Sequence, residues 1–277
     1  MTSFDKLITI GKLMYIYIGL QLVIGLILLL ILKINPLALN TMDYKLVAIT
    51  TLPQILPILI ILKKFKIKLW GSESVFYKDW IYYTSIGVVL GGIAVAIVIL
   101  LQNLLLDSFV IHPVSSINRI EIFIWFFLIL LAAFFEELFF RFILHKILGK
   151  GWDSLFLSSI LFMLMHSANP GINIVSVVNV FLFGVVMWLI YEISESLILV
   201  TFIHGAWNYT CGFVFGTNIS GLGAPLSFFK TSSKDSLLIS GGSFGIEASV
   251  ITSTLLVFVL AILLFMSFKK KTKTIND

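Results

Sequence analysis

Long apolar runs dominate this chain and leave it few ways to fold. Of the 277 residues, 59% are hydrophobic and 12% are charged, a balance typical of polytopic membrane proteins and not of water-soluble domains. A run of about 17 to 25 apolar residues is long enough to cross a bilayer as an α-helix. The sequence predicts eight such helices, at roughly 13–32, 46–62, 81–105, 120–144, 155–167, 172–191, 197–215 and 246–268. We therefore expect an all-α fold, a polytopic transmembrane helical bundle. The fifth run is short and can be extended back to Trp152.

No internal repeat, soluble domain or long linker is evident, so we expect residues 1–277 to form a single transmembrane domain. The first apolar run is too long for a signal peptide and no small-x-small cleavage site follows it, so we expect a retained anchor. The only cysteine, Cys211, cannot form an intramolecular disulfide and offers no thiolate zinc cluster. We expect it to be a small packing residue.

Basic residues are unevenly distributed between the two sides of the predicted bundle. Most of the 19 Lys and Arg residues fall in segments that lie inside if both termini are cytoplasmic. The strongest clusters are Lys63, Lys64, Lys66 and Lys68 after the second run and Lys269, Lys270, Lys271 and Lys273 after the eighth. The positive-inside rule then predicts cytoplasmic N and C termini. This topology and contact with anionic lipid explain the pI of about 9.2, so we expect no nucleic-acid partner.

Three charged residues interrupt the fourth apolar run, namely Glu136, Glu137 and Arg141. An ionised side chain at bilayer depth costs several kcal/mol, so it marks a functional site by default. Glu137 and Arg141 are four residues apart and can pair on one helix face, whereas Glu136 is turned about 100° away and stays available. We therefore expect one acid to be structural and the other to be chemical.

Later helices add three polar residues at a similar depth. His166 ends the fifth run, and His204 and Asn208 lie four residues apart on the seventh, so these last two side chains project the same way. At about 1.5 Å per residue, the two histidines lie roughly 12 to 20 Å from the predicted cytoplasmic ends, as Glu136 does. A carboxylate and an imidazole can hold and deprotonate a water, while His and Asn donors can stabilise the oxyanion of an attacked amide. The set therefore suits hydrolysis.

The same residues form three short motifs. Residues 136–141 (EELFFR) resemble the EExxxR motif, residues 162–166 (FMLMH) the FxxxH motif, and residues 204–208 (HGAWN) the HxxxN motif. In this order they resemble the CPBP family, which comprises type II CAAX prenyl proteases and bacteriocin-processing membrane proteins, also called Abi. The resemblance covers about residues 120–215, which would form the catalytic core.

The resemblance implies an intramembrane, glutamate-dependent endopeptidase that needs no metal and no other cofactor. Carried over by motif position, it gives six catalytic candidates: Glu136, Glu137, Arg141, His166, His204 and Asn208. It implies that Glu136 and His166 activate the water and that His204 and Asn208 stabilise the oxyanion. The remaining glutamate and the arginine would orient the site.

The resemblance also implies a membrane-embedded peptide or protein substrate in a lipid bilayer, and it is compatible with a partner protein. We expect the site to open toward the cytoplasmic half of the bundle. The composition, rich in Ile, Lys and Asn, hints at a bacterial cell membrane. In that setting a peptide precursor is a better candidate substrate than a prenylated CAAX terminus.

Two other functions stay open on the sequence. A zinc-dependent membrane protease could use Glu136, His166 and His204 as ligands, although HExxH is absent. A non-enzymatic member of the same fold could act as a membrane scaffold, a bacteriocin self-immunity factor or a regulator. The polar residues could also be structural, as a buried ion cluster or as interhelical hydrogen bonds.

Three further patterns are expected to be structural. Residues 241–245 match G-x-S-x-G, but neither the strand nor the helix that a nucleophile elbow requires is predicted around Ser243. We expect this loop to cap the outer face. Gly87 and Gly91 have GxxxG spacing, which favours tight packing inside the bundle. A polar stripe on the sixth run, which includes Asn179, is more typical of hydrogen bonds between helices.

Overall fold

The computed structural model describes residues 3–33, 42–69, 79–106, 109–233 and 237–276. Within these residues, eight long helices form the bundle: α1 Ser3–Leu32, α2 Tyr44–Lys64, α3 Trp80–Leu106, α4 Arg119–Leu148, α5 Trp152–Met165, α6 Ile174–Ser194, α7 Leu197–Val214 and α8 Val250–Asn276. All but α5 are long and apolar enough to cross a membrane. The prediction of an all-α polytopic bundle is confirmed, and each predicted run coincides with one helix. The chain is an integral membrane protein.

Polar caps set the starts of the helices that carry the candidate site. Asn118 accepts a hydrogen bond from the backbone N–H of Glu121 at 3.2 Å and begins α4. Asn173 forms a capping box at the start of α6, and Ser196 accepts from the backbone N–H of Leu199 at 3.2 Å to begin α7. Such caps satisfy backbone donors that a helix leaves unpaired at its first turn. Asn118, Asn173 and Ser196 therefore determine where α4, α6 and α7 begin.

Two of the helices contain a π-helical segment next to a sequence motif. In α4 the segment Leu138–Ile143 begins directly after the paired glutamates. In α7 the segment Thr210–Val214 begins two residues after Asn208. Single π-turns inside α-helices occur frequently at functional sites, because they redirect the side chains around them. The sequence did not predict either segment.

Small residues allow α3 to approach α7 closely. A Cβ atom built on Gly91 would collide with the backbone of Ile203, and one built on Gly87 would collide with Phe202. Close approach of backbones at small residues is a common way to pack helices in a bilayer. The prediction that the GxxxG spacing serves packing inside the bundle is confirmed.

The connections at one end of the bundle form a small sheet. The strand β1 (Phe109–Pro113) pairs antiparallel with β2 (Phe229–Ser233). Between β2 and α8 the chain makes short helical turns at Leu237–Ser240, Gly242–Phe244 and Ile246–Ala248. Ser243 lies in the second of these turns, so the strand and helix of a nucleophile elbow are not found around it in this described part of the loop.

Candidate active site

Glu137 and Arg141 form a buried ion pair on α4. The Nε atom of Arg141 lies 3.1 Å from Oε2 of Glu137, and both side chains are almost fully buried. The guanidinium also lies over the ring of Phe162 on α5, 4.3 Å from the ring centroid. Such a cation–π contact adds to the stabilisation of the arginine when the site is desolvated. The i, i+4 pairing that the sequence predicts is therefore present.

The same carboxylate of Glu137 also contacts His204 on α7. Its Oε1 atom lies 2.8 Å from Nδ1 of His204. An ionised carboxylate only accepts hydrogen bonds, so Nδ1 of the histidine carries the proton and donates it. Nε2 then points to the opposite side, where it lies 3.9 Å from Oε2 of Glu136. Glu137 therefore connects Arg141 to His204 and fixes the direction of the imidazole.

His166 is oriented by the end of its own helix. It is the C-cap residue of α5, and its Nδ1 atom donates to the backbone oxygen of Phe162 at 2.8 Å. That carbonyl belongs to the last turn of the helix, where oxygens have no intrahelical partner. Nε2 of His166 consequently faces Glu136, with 3.9 Å to Oε2. The carboxylate of Glu136 therefore lies between two imidazole Nε2 atoms.

A cavity of about 480 Å³ brings the four remaining candidates together, because Glu136, His166, His204 and Asn208 all line it. Glu137 and Arg141 do not line it and lie behind His204. The glutamate that is free of the ion pair is thus the one that faces the cavity. Of the two acids, only Glu136 can therefore contact a molecule in the cavity.

The first two helices also line the cavity, which the sequence did not reveal. The ring of Tyr17 on α1 stacks on Phe139 with 3.6 Å between centroids, and its hydroxyl donates to Gln54 on α2 at 2.9 Å. Gln54, Gln21 and Tyr17 all border the cavity. They belong to no motif, and the only available signal was a pair of glutamines within apolar runs.

A third carboxylate close to the site, that of Glu247, was also missed. Its Oε1 accepts from the indole N–H of Trp207 at 3.0 Å, and its Oε2 accepts from the backbone N–H and the hydroxyl of Ser220. Glu247 borders a smaller cavity, of about 30 Å³, together with His166 and His204. Its backbone oxygen accepts from Asn179 at 2.8 Å. The loop before α8 is thereby attached to α6 and α7 beside the histidines.

Asn179 forms hydrogen bonds between structural elements, as the polar stripe on the sixth run predicts. Its Nδ2 also donates to the backbone oxygen of Ser249, and its Oδ1 accepts from the hydroxyl of Ser253 at 2.6 Å. These bonds join α6 to the start of α8. Hydrogen bonds of this kind hold helices together in a bilayer.

Glu136, His166 and His204 are the residues that the sequence offers as zinc ligands. Among the described residues, no group of three or more His, Cys, Asp or Glu side chains is arranged to hold a metal ion. One ring nitrogen of each histidine is already hydrogen-bonded, that of His166 to a backbone oxygen and that of His204 to Glu137.

The cavity extends from Glu136 toward the end of the bundle where α1 ends and α2 begins. On α1 it is lined from Tyr17 to Leu29, and at the second helix by Met42, just before α2, and by residues of α2 as far as Gln54. This end is opposite the N terminus of α1. Whether the site opens toward the cytoplasmic half depends on which end of the bundle lies inside the cell, so the expected cytoplasmic opening stays a prediction. The apolar runs predict the depth of the site, but hydropathy does not indicate which half of the bundle is packed.

The comparisons with known proteins identify the segment that contains the site. Residues 118–210 match the family model for Rce1-like proteins, described as type II CAAX prenyl endopeptidases. No curated protein and no solved structure matches the chain. The matched segment runs from the N-cap of α4 into the last turn of α7 and contains all six motif residues, whereas α1, α2 and Glu247 lie outside it. In this segment the chain is therefore similar to type II CAAX prenyl endopeptidases of the Rce1-like family.

Proposed function

We propose that this protein is a glutamate-dependent intramembrane endopeptidase that cleaves a membrane-associated peptide or protein. The observation that carries the proposal is the position of Glu136. Its Oε2 atom lies 3.9 Å from Nε2 of both His166 and His204, at the surface of a cavity that reaches into the bundle. A carboxylate placed between two imidazoles is suited to proton transfer during hydrolysis.

The first step is the attack of a water on the substrate carbonyl. Nδ1 of His166 donates to Phe162, so Nε2 of the neutral ring accepts a hydrogen bond from the water. The carboxylate of Glu136 accepts a hydrogen bond from the other O–H of the same water. As the water oxygen bonds to the carbonyl carbon, that proton moves to Glu136, and the carbonyl π-electrons move to the oxygen. A tetrahedral oxyanion and a protonated Glu136 result.

Asn208 and His204 are placed to stabilise that oxyanion. Asn208 offers its side-chain amide N–H. His204 can donate from Nε2 only if the ring is protonated on both nitrogens, because Nδ1 already donates to Glu137. The carboxylate of Glu137 would then face two cations, the imidazolium of His204 and the guanidinium of Arg141. A cationic donor in a water-poor site stabilises a developing negative charge strongly.

Collapse of the intermediate completes the reaction. The C–N bond breaks, the electron pair of the oxyanion restores the carbonyl, and the proton held by Glu136 is transferred to the departing amine. Glu136 is thereby regenerated as a carboxylate. The products are a new carboxyl terminus and a new amino terminus, so the reaction balances without any further reactant.

The first test compares wild type with Glu136→Gln in native membranes by mass spectrometry of peptides and new protein termini. The Gln side chain keeps the shape but removes the base, so specific termini should disappear while the protein level is unchanged. Asn208→Ala and His204→Ala should act in the same direction. Identical termini in wild type and Glu136→Gln would indicate a binding or scaffolding protein of this fold.

A second test addresses the metal. Purified protein should keep its activity in the presence of a strong chelator, because the proposed steps use only side chains. Activity that is lost on chelation and restored by zinc would instead assign the site to a zinc protease.

A further inference from the structure

Only one side of the candidate site is packed. From Glu137 to His145 every side chain of α4 is buried. This segment forms one apolar cluster with Leu13 and Tyr17 of α1 and with Ile58 and Ile61 of α2. The half of the bundle between the site and the N terminus of α1 is therefore closed by a continuous core.

The other half contains the cavity. Ile129 and Ala132 of α4 line it, as do the second half of α1 and the first half of α2. Ile219, Ser220 and Leu222, from the loop that follows α7, complete the wall. All these parts lie on the side of Glu136 where α4 begins. A substrate must reach the carboxylate from that side.

The second half of α1 leaves the cavity open to lipid. No side chain of α1 beyond Tyr17 is buried within Ser3–Leu32. Leu22 and Leu26 line the cavity, yet 61% and 58% of their surfaces remain exposed. In a bilayer these surfaces contact acyl chains, so a membrane-embedded molecule can reach the cavity laterally beside α1.

The distribution of basic residues assigns the two ends to the two faces of the membrane. Lys63, Lys64 and Lys66 lie at the packed end, with Lys146 and Lys150. Fewer basic residues lie at the open end, where the chain has Lys33, Lys45, Arg119 and Lys230 among those described. The positive-inside rule places the packed end in the cytoplasm.

We infer that the substrate reaches the site laterally from the extracytoplasmic half of the bilayer, as an extended peptide with apolar side chains. This inference rests on the proposed peptidase function. At about 480 Å³ the cavity has the size of a typical ligand site, roughly 300 to 1,000 Å³, which suits a short stretch of chain and not a whole helix. An extended peptide exposes backbone N–H and C=O groups, which must be satisfied inside a bilayer.

The polar residues of the cavity are placed to satisfy them. Gln21 on α1 and Thr51 on α2 line the same wall, and Nε2 of Gln21 and Oγ1 of Thr51 have no hydrogen-bond partner among the described residues. Apolar residues such as Leu26 surround them and suit the substrate's side chains. The recognised substrate is therefore a hydrophobic segment that can lose its helical structure next to the outer leaflet.

Cysteine accessibility tests the side of access without any need for activity. Cys211, the chain's only cysteine, is buried, so Cys211→Ser provides a background without thiols. Asn169→Cys reports on the cavity, and Lys45→Cys and Lys66→Cys mark the two ends of α2. A membrane-impermeant maleimide should label Asn169→Cys and Lys45→Cys in intact cells, and Lys66→Cys only in inverted vesicles. Labelling of Asn169→Cys from the same side as Lys66→Cys, or labelling of Lys45→Cys only from the cytoplasm, would overturn the inference.

A matched pair of tryptophan variants tests the lateral route. Leu26 lines the cavity, whereas Leu30, one turn further along α1, is 79% exposed and does not line it. Leu26→Trp should lower kcat/KM for the Glu136-dependent cleavage at least tenfold, and Leu30→Trp should leave it unchanged. Equal activity of both variants would refute this route while the peptidase function stands. If wild type cleaves nothing, the peptidase function fails, and the maleimide labelling still decides which face the cavity reaches.

Discussion

Glu137 on α4 accepts a hydrogen bond from His204 on α7, with 2.8 Å between Oε1 and Nδ1, and so joins two helices that are 67 residues apart in the chain. The same carboxylate pairs with Arg141. One buried acid therefore contacts basic side chains on two helices, the histidine by a hydrogen bond and the arginine by an ion pair. Its removal should affect the stability of the bundle as well as the chemistry of the site.

Glu137→Gln should destabilise the folded protein. The substitution leaves the guanidinium of Arg141 buried without a charged partner, and breaking a buried ion pair in this way typically costs about 3 to 5 kcal/mol. Thermal unfolding in detergent should show a clear decrease in melting temperature. Glu195→Gln is the control, because its pair with Lys150 at 2.9 Å is exposed, and exposed pairs contribute at most about 1 kcal/mol. Equal melting temperatures for the two variants would contradict the structural role of Glu137.

Asn208→Ala should lower kcat and leave the stability nearly unchanged. Removal of one oxyanion donor commonly reduces kcat by about 10² to 10³. Steady-state kinetics on a cleaved peptide would measure the effect, with KM expected to change little. Asn118→Ala is a suitable comparison, because Asn118 caps α4 at its far end. It should reduce stability by about 1 kcal/mol and keep kcat. A change in KM alone for Asn208→Ala would argue for a binding role.

Gly91→Ala should displace α7 and reduce both stability and activity. The added methyl group would collide with the backbone of Ile203, directly before His204. Overpacking of this kind typically costs about 1 to 3 kcal/mol. Gly92→Ala is the neighbouring control, since a Cβ there meets only Thr210 Oγ1, at an ordinary 3.6 Å. Normal cleavage by a stable Gly91→Ala protein would show that the packing of α3 on α7 does not position the site.

Glu247→Ala should loosen the loop that precedes α8. The substitution leaves the indole N–H of Trp207 and two donors of Ser220 without their acceptor. Hydrogen bonds to a charged group contribute about 1.5 to 3 kcal/mol each, so the melting temperature should decrease. Amide hydrogen exchange in the loop should become faster at the same time. Ser220→Ala removes one of these donors and should have a smaller effect. Unchanged exchange in Glu247→Ala would show that other contacts hold the loop.

The helices and the motif residues could be predicted because they depend on local sequence. Apolar runs of bilayer length define α1 to α8, and the four-residue spacing of Glu137 and Arg141 places both on one helix face. The contact of Glu137 with His204 depends instead on how α4 and α7 are rotated against each other. A π-helical segment in each of these helices changes that rotation, and no pattern in the sequence predicts either segment.

Which half of the bundle contains the cavity could not be predicted from the sequence. The second half of α1 is the more apolar one, since Asp5, Lys6 and Lys12 all lie in the first, yet only the half up to Tyr17 contains buried residues. Lipid and protein core select the same side chains, so hydropathy does not distinguish a helix face that contacts acyl chains from one that contacts protein. Tyr17, Gln21 and Gln54 line the cavity because of the way in which α1 and α2 are rotated toward α4, and hydropathy does not predict that rotation.

The loose attachment of α1 should make the protein responsive to bilayer thickness. Its uncharged apolar stretch, residues 13–32 between Lys12 and Lys33, is about 30 Å long at 1.5 Å per residue, which is close to the thickness of a hydrocarbon core. In a thinner membrane this stretch exceeds the hydrocarbon thickness, and the helix can accommodate the excess by tilting. Near its start α1 is held by the ion pair of Lys6 with Asp153 and by the stacking of Tyr17, so tilting moves its far half and changes the width of the cavity. Reconstitution in lipids of decreasing acyl length should therefore alter the rate of the proposed cleavage without any change in the chemistry, which would make lipid composition a regulator of this protein.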